Sequence, residues 1–234
     1  MGKWTARRKR YLLIAGQKKD ETIIGNSLFY KGNRYVGQWR ENKFNGNGSF
    51  KYLNGDTYEG SWILDKRSGQ GIFTSANGEH YDGQWRNDLK DGLGEMDYAN
   101  GDRYIGNWKQ GVREARGEIA YKNGDQYKGE WANDLKQGQG IYYYANGEIY
   151  DGLWYNDVKM GRGKYNYKNG DQYEGQWSDG IRQGYGIFKD NLGNIYEGDW
   201  LNDIKMGSGT FKDVNGDTYV GDWVNDFRYG RGKI

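Results

Sequence analysis

Apolar and polar positions alternate along most of this chain, in short runs punctuated by glycine. In Gly46–Trp62 (GNGSFKYLNGDTYEGSW), Gly46, Gly48, Phe50 and Tyr52 alternate with polar residues. Asn54-Gly55 breaks the run, and Tyr58, Gly60 and Trp62 resume it. A period of two is that of a strand with one buried face. Asn-Gly between two such runs is a strong hairpin signal. The segment therefore predicts one β-hairpin with its rings on one face and Ser49, Lys51, Glu59 and Ser61 on the other. A link of about six residues, such as Arg86-Asn87-Asp88-Leu89-Lys90-Asp91, would then lead to the next hairpin.

Parity selects the turn. A two-residue turn at Asn54-Gly55 would set Phe50 against Glu59, on the wrong face. A three-residue loop, Leu53-Asn54-Gly55, sets Phe50 against Tyr58, Gly48 against Gly60 and Gly46 against Trp62. That loop is a type I turn with glycine in the left-handed region, forming a G1 bulge. Gly48 and Gly60 would leave room for the Trp62 and Phe50 rings to lie over bare backbone.

The same pattern recurs. Tyr-x-Gly-x-Trp appears nine times, 23 residues apart, from Tyr35-x-Gly37-x-Trp39 to Tyr219-x-Gly221-x-Trp223. A fixed period of this length signals an array of small units stacked on their neighbours. The expected fold is all-β: an elongated, single-layer antiparallel meander of stacked hairpins, twisted and curved, with an aromatic groove. Residues 23–39 read as a degenerate first hairpin. Residues 1–22 read as a basic N-terminal tail or cap, and 23–234 as nine 23-residue repeats plus a final unpaired strand. Ala115 replaces the first glycine of its repeat, while Gly111 and Gly180 replace a linker Asp, so the middle of the array is expected to bend slightly.

Composition narrows the function. The 234 residues include 40 Gly, 22 Tyr and 10 Trp but no Pro or Cys. Buried area must come mainly from rings. There is no disulfide framework or thiolate metal site. No apolar run approaches the roughly 20 residues of a membrane span. A cytoplasmic setting is the expectation. Net charge is +2, but residues 1–30 hold seven basic and two acidic residues, leaving 27 basic and 30 acidic in the rest. The array is mildly acidic and the N-terminus strongly basic.

Tyr-x-Gly-x-Trp, Gly-x-Gly and Asn-Gly-Asp-x-Tyr at this period resemble the MORN repeat (membrane occupation and recognition nexus), over about residues 23–234. The resemblance implies a curved single-layer meander with an aromatic-lined groove. It also implies roles as a tether between membranes, an axonemal or ciliary component or a cytoskeletal scaffold. Phosphoinositide binding is the competing implication.

The residues themselves offer no catalytic constellation, cofactor loop or metal set. The single histidine, His80, stands at a surface position and cannot build a Ser/His or Cys/His nucleophile. The Gly-x-Gly pairs lack the Gly-Lys-Ser/Thr ending of a phosphate loop. Acids follow seven of the nine turn glycines (Asp56, Glu79, Asp102, Asp125, Glu148, Asp171 and Asp217), a row of turn residues or an edge for a divalent ion or basic partner. On the opposite edge run Arg67, Lys90, Arg113, Lys136, Lys159, Arg182, Lys205 and Arg228. This row is either a zwitterionic edge, neutralised by acids such as Asp88 two residues before Lys90, or a site for an anionic partner. At the N-terminus Lys3, Arg7, Arg8, Lys9 and Arg10 stand beside Trp4 and Tyr11-Leu12-Leu13-Ile14, a polybasic cluster suited to an anionic leaflet given a second anchoring signal. Gly2 as a myristoylation site, a mitochondrial presequence and a plain basic tail are the other readings of this segment. Nucleic acid is not expected, because the array is net acidic.

The leading expectation is a non-catalytic scaffold. Its partners would be a helix or peptide against Tyr58, Trp62, Tyr81, Trp85, Tyr104, Trp108, Tyr127, Trp131, Tyr150, Trp154, Tyr173, Trp177, Tyr196 and Trp200, with end-to-end self-association through the open last strand. The alternative is a peripheral membrane module binding anionic phospholipids through the basic N-terminus and basic edge.

Overall fold

Glycine and the I′-prone Asn-Asp pairs divide the described residues into strands joined by tight turns. The structure, a computed structural model, describes residues 9–14, 17–24 and 27–233, with side chains at 27–29 and 31–230. Two compact units divide between Val112 and Arg113. In the first, the strands are β1 (Lys9–Ile14), β2 (Gln17–Ile24), β3 (Ser27–Tyr30), β4 (Asn33–Arg40), β5 (Lys43–Lys51), β6 (Thr57–Ile63), β7 (Lys66–Thr74), β8 (His80–Arg86), β9 (Leu89–Asp97) and β10 (Arg103–Lys109). The second begins one residue into β11 (Val112–Ala120) and holds β12 (Gln126–Ala132), β13 (Leu135–Tyr143), β14 (Ile149–Tyr155), β15 (Val158–Asn166), β16 (Gln172–Ser178), β17 (Ile181–Lys189), β18 (Ile195–Leu201), β19 (Ile204–Lys212), β20 (Thr218–Val224) and β21 (Phe227–Lys233). Within each unit, every strand pairs antiparallel with the next in sequence, a meander without crossovers. The last strand, β21, is hydrogen-bonded to β20.

The β5–β6 turn is the three-residue one that parity demands. Phe50 faces Tyr58, Gly48 faces Gly60 and Gly46 faces Trp62. The Tyr52 N–H donates to the Asp56 carbonyl (2.9 Å) and the Gly55 N–H to the Tyr52 carbonyl (3.1 Å), with Gly55 at φ 98°. Asn54 Oδ1 accepts the Asp56 N–H, which fixes the bulge residue. The early hairpin β3–β4 differs. It turns on Lys31-Gly32, both at positive φ, and sets Leu28 against Tyr35. It lacks the Asn side chain that holds the three-residue form.

The six-residue link is not a loop. Ile63 pairs with Lys66 across Leu64-Asp65, at φ 50° and 69°, so each link is itself a two-residue type I′ hairpin. Asn87-Asp88, Asn133-Asp134 and Asn156-Asp157 repeat this geometry. Strand twist favours this turn, and Asn and Asp tolerate the left-handed region better than most residues. The register then shifts between Gly60 and Trp62, where Gly69 on β7 adopts φ 79°. This bulge reconciles the two-residue and three-residue turns, which alternate along the chain. Ala115 occupies the bulge position of its repeat and still takes φ 57°, at a steric cost that glycine avoids.

Glycine makes space for tyrosine rather than for tryptophan. A Cβ on Gly71 would lie 2.1 Å from the Tyr58 hydroxyl, and one on Gly60 2.4 Å from the Gly71 Cα. The Tyr58 ring therefore lies over two bare backbones, and its hydroxyl donates to the Ser61 carbonyl (3.0 Å). Tyr58 is fully buried, edge-on to Trp62 (5.0 Å) and to Trp85 of the next hairpin (5.5 Å). From Trp62 to Trp223 each frame indole N–H reaches back 14 residues to a glycine carbonyl, as from Trp85 to Gly71 (2.8 Å) and from Trp177 to Gly163 (3.1 Å). Both polar ends of the aromatic layer are thus satisfied inside it.

Candidate functional site

The aromatic face spends its rings on itself. None of the fourteen Tyr and Trp residues expected to line a groove, from Tyr58 to Trp200, is more than 6% exposed. The flanking row, with Phe50, Tyr52, Tyr144 and Tyr167, is half-buried, as are Trp39 and Phe44 at the start of the array.

The basic row lies on this face as well. Trp62 and Arg67 are directly opposed in register, so the cation lands among the rings. The Arg67 guanidinium sits 4.2 Å from the centroid of Trp85, Arg113 4.2 Å from Trp131 and Arg182 4.3 Å from Trp200. Lys90, Lys136, Lys159 and Lys205 cover Trp108, Trp154, Trp177 and Trp223 in the same way, and Arg228 covers Tyr219. Burial holds the Lys159 and Lys205 ammonium groups below the usual lysine range, against the pull of nearby acids. The neutralising acid is not the neighbour two residues earlier in sequence. Asp88 binds Arg67, accepting its backbone N–H (2.9 Å) and its Nε (3.3 Å), because the next I′ turn folds alongside the previous one. Asp134 with Arg113, Asp157 with Lys136 and Asp203 with Arg182 repeat the pair. Gly111 and Gly180 supply no such carboxylate beside Lys90 and Lys159.

The turn acids are engaged along the other edge. Asp56 accepts the Ala76 N–H (2.9 Å), 20 residues on. Asp125 accepts the Ala145 N–H (2.7 Å) and the Tyr142 hydroxyl (2.7 Å). Glu148 accepts the Tyr165 hydroxyl (2.8 Å), which with Asn146 holds its carboxyl below the usual range. These bonds staple successive hairpins. No group of three or more potential metal ligands occurs among the described residues, and no helix there is long and apolar enough to cross a membrane. His80, half-buried on β8, lies 3.0 Å from the Thr74 hydroxyl. Of the N-terminal candidates, Lys3, Arg7 and Arg8 lie outside the described residues. Lys9 and Arg10 are described only as backbone of β1.

Open space lies on the opposite face, in the second unit. A groove of about 390 Å³ crosses β13–β17, floored by the backbone of Gly152, Gly163 and Gly175. One wall is the cross-strand row Asp151, Lys164, Glu174 and Ile187. The other carries Gln139, Arg162, Gln176 and Tyr185. A second hollow of about 320 Å³ continues past Tyr185 over Gly198, Gly209 and Gly221, between Glu197, Val220 and Asp222. Tyr185, Ile187 and Val220 are 49%, 40% and 50% exposed. Asp151, Lys164 and Glu174 face one another in register yet form no ion pair within 4 Å. Elsewhere on this face comparable charges do pair, as Lys128 does with Glu118 (2.9 Å). The groove also interrupts a local device. Gln38, Gln84 and Asp199, each just before the Trp of its frame, accept the N–H beyond the facing bulge glycine. Leu153 stands at that place in β14 and carries no acceptor for Arg162. These lining residues fall at variable positions between the frame residues, so periodicity alone does not single them out.

The 23-residue frame decides the family. The MORN repeat model matches nine consecutive segments: 35–57, 58–80, 81–103, 104–126, 127–149, 150–172, 173–191, 196–218 and 219–234. The chain belongs to the MORN repeat family. No curated protein matches the MORN chain significantly. Among solved structures, the TCP10 domain of Danio rerio CPAP is 11% identical, with 88% of this chain and 96% of that chain covered and a TM-score of 0.49. The same domain in complex with a peptide of Danio rerio STIL is 11% identical, with 85% and 95% covered and a TM-score of 0.46. The SAS-4 (dCPAP) TCP domain of Drosophila melanogaster, in complex with a proline-rich motif of Ana2, is 17% identical, with 68% and 92% covered and a TM-score of 0.43.

Proposed function

We propose that this MORN protein is a non-catalytic scaffold that holds a segment of a partner protein in the glycine-floored groove of its second unit. The observation that supports this reading is the contrast between the two faces. Rings, hydroxyls, indole N–H groups and cations on one face satisfy each other, whereas the groove leaves charges unpaired beside exposed Tyr185 and Ile187. Exposed apolar surface bordered by polar groups is typical of interaction sites. A role at anionic membranes has less support, because the basic row lies against indoles and four of its members also bind carboxylates.

The test is a photo-crosslinking residue placed at Tyr185 in cells, with the same residue at Phe50 on the aromatic face as control. A protein adduct specific to position 185 is expected. Its purified partner should then bind the wild-type chain and lose affinity for Tyr185→Glu, at unchanged thermal stability. Absence of any adduct specific to 185, or equal binding by Tyr185→Glu, would defeat the proposal.

A further inference from the structure

The groove is not electrically uniform, and this specifies what fits it. Its β14–β16 part carries Asp151, Arg162, Lys164 and Glu174, two charges of each sign. Its β18–β20 part carries Glu197 and Asp222 without a lining cation. Between them stands the exposed apolar pair Tyr185 and Ile187 on β17. Tyr185 donates its hydroxyl to Glu197 and lines both hollows, so its ring stands at the junction between them. Along the groove the lining thus passes from an apolar step to acids over three strand spacings, with Glu197 on the wall of Ile187 and Asp222 on the wall of Tyr185.

Resting on the scaffold reading, we propose that the occupant is an extended, basic peptide segment of a partner protein, lying across the strands. An apolar side chain would rest against Tyr185 and Ile187, followed by Arg or Lys residues toward Glu197 and Asp222. The spacing follows from sheet geometry. Strands lie about 4.8 Å apart, so Glu197 on β18 is one step and Asp222 on β20 three steps, roughly 14 Å, from Tyr185. An extended chain advances about 3.3 Å per residue and turns alternate side chains to the same side. Basic residues two and four positions after the apolar one therefore reach both acids. The floor accepts such a segment because Gly175, Gly198, Gly209 and Gly221 carry no side chain. A guanidinium on each carboxylate forms charge-assisted bonds stronger than neutral ones.

Binding of fluorescein-labelled ten-residue peptides to the full chain, followed by anisotropy at low salt, tests this. In a Gly/Ser background, one peptide carries Leu at a position i with Arg at i+2 and i+4. A second carries Glu in place of both Arg, and a third Ser in place of Leu. The Arg peptide should bind at least about tenfold tighter than the Glu peptide and weaken as salt rises. The Ser peptide should bind several-fold less tightly than the Arg peptide. In the doubly substituted Glu197→Lys, Asp222→Lys chain, with thermal stability checked, the preference between Arg and Glu peptides should invert. The proposal is overturned if neither charged peptide binds the wild-type chain, if both bind equally, or if the double substitution leaves the preference unchanged. A partner crosslinked at position 185 that binds equally well to the double variant would leave the scaffold reading standing and remove this one.

Discussion

Gly186→Ala adds one methyl group and asks what the glycine ladder is for. Gly186 has ordinary backbone torsions, so alanine meets no conformational penalty there. Its Cβ would lie 2.4 Å from the Tyr173 hydroxyl, 2.5 Å from Cε2 and 2.6 Å from Cζ, each about 1 Å inside normal contact. The ring has nowhere to go. Gly175, directly opposite Gly186 in register, lies under the same ring, where a Cβ would also lie 2.4 Å from the hydroxyl. Trp177 and Trp200 hold it edge-on at 5.3 Å each, and its hydroxyl is tied to the Gln176 carbonyl (3.0 Å). The cost belongs at the upper end of overpacking, about 3 kcal/mol. In a unit of this size that lowers the melting temperature by on the order of 10 °C. Gly216→Ala is the control. It meets no atom within 4 Å and has only its φ of 96° against it, costing about 1 kcal/mol. Urea unfolding should be followed by tryptophan fluorescence and far-UV dichroism, because repeat arrays can lose cooperativity and coincident probes are needed. A cycle with Tyr173→Ala completes the test. That change opens a hole into which the new methyl fits, so the double variant should be about 2 kcal/mol more stable than additivity requires. A Gly186→Ala cost no larger than that of Gly216→Ala, or strict additivity in the cycle, would refute the steric account.

Trp177→Phe keeps most of the ring but abandons the Gly163 carbonyl, and should cost about 1–3 kcal/mol in urea unfolding. Ala115→Gly should raise stability by about 0.5–1 kcal/mol, because it relieves a left-handed alanine at the price of some unfolded-state entropy. Burial pushes Tyr35, Tyr58 and Tyr196 up from 10.0 to about 12. Folded-state values above unfolded ones mean stability intact below pH 10 and lost as the pH rises towards 12. Alkaline unfolding should therefore coincide with tyrosinate absorbance at 295 nm rather than follow it. Glu148 has the opposite sign: its stabilisation is present above the unfolded carboxylate range and lost as pH falls through the lowered folded value. Glu148→Gln should accordingly flatten the acid limb of the stability profile, and superimposable limbs would contradict the Tyr165 staple.

Much of this protein is local, and that part was legible in the sequence. Parity within 17 residues determined that Phe50 faces Tyr58, and Asn54-Gly55 determined the three-residue turn that makes it so. The nine-fold Tyr-x-Gly-x-Trp frame determined the family, the strand class and which face carries the rings. Tertiary structure decided what those elements touch. The two-register shift at Gly69, permitted by glycine but not demanded by it, brings the Tyr58 ring over Gly71. The two-residue turn at Leu64-Asp65 sets Arg67 against Trp62, and so among the rings and away from a free basic edge. Asp88 pairs with Arg67, 21 residues back, because consecutive turns lie side by side in space. The groove belongs to the same class of facts. Asp151, Lys164, Glu174, Ile187 and Tyr185 stand on four different strands, and only the stacking of hairpins makes them neighbours. A repeat sequence encodes each hairpin by short-range alternation and turn chemistry, whereas contacts between hairpins depend on bulges and turn lengths that add up along the sheet.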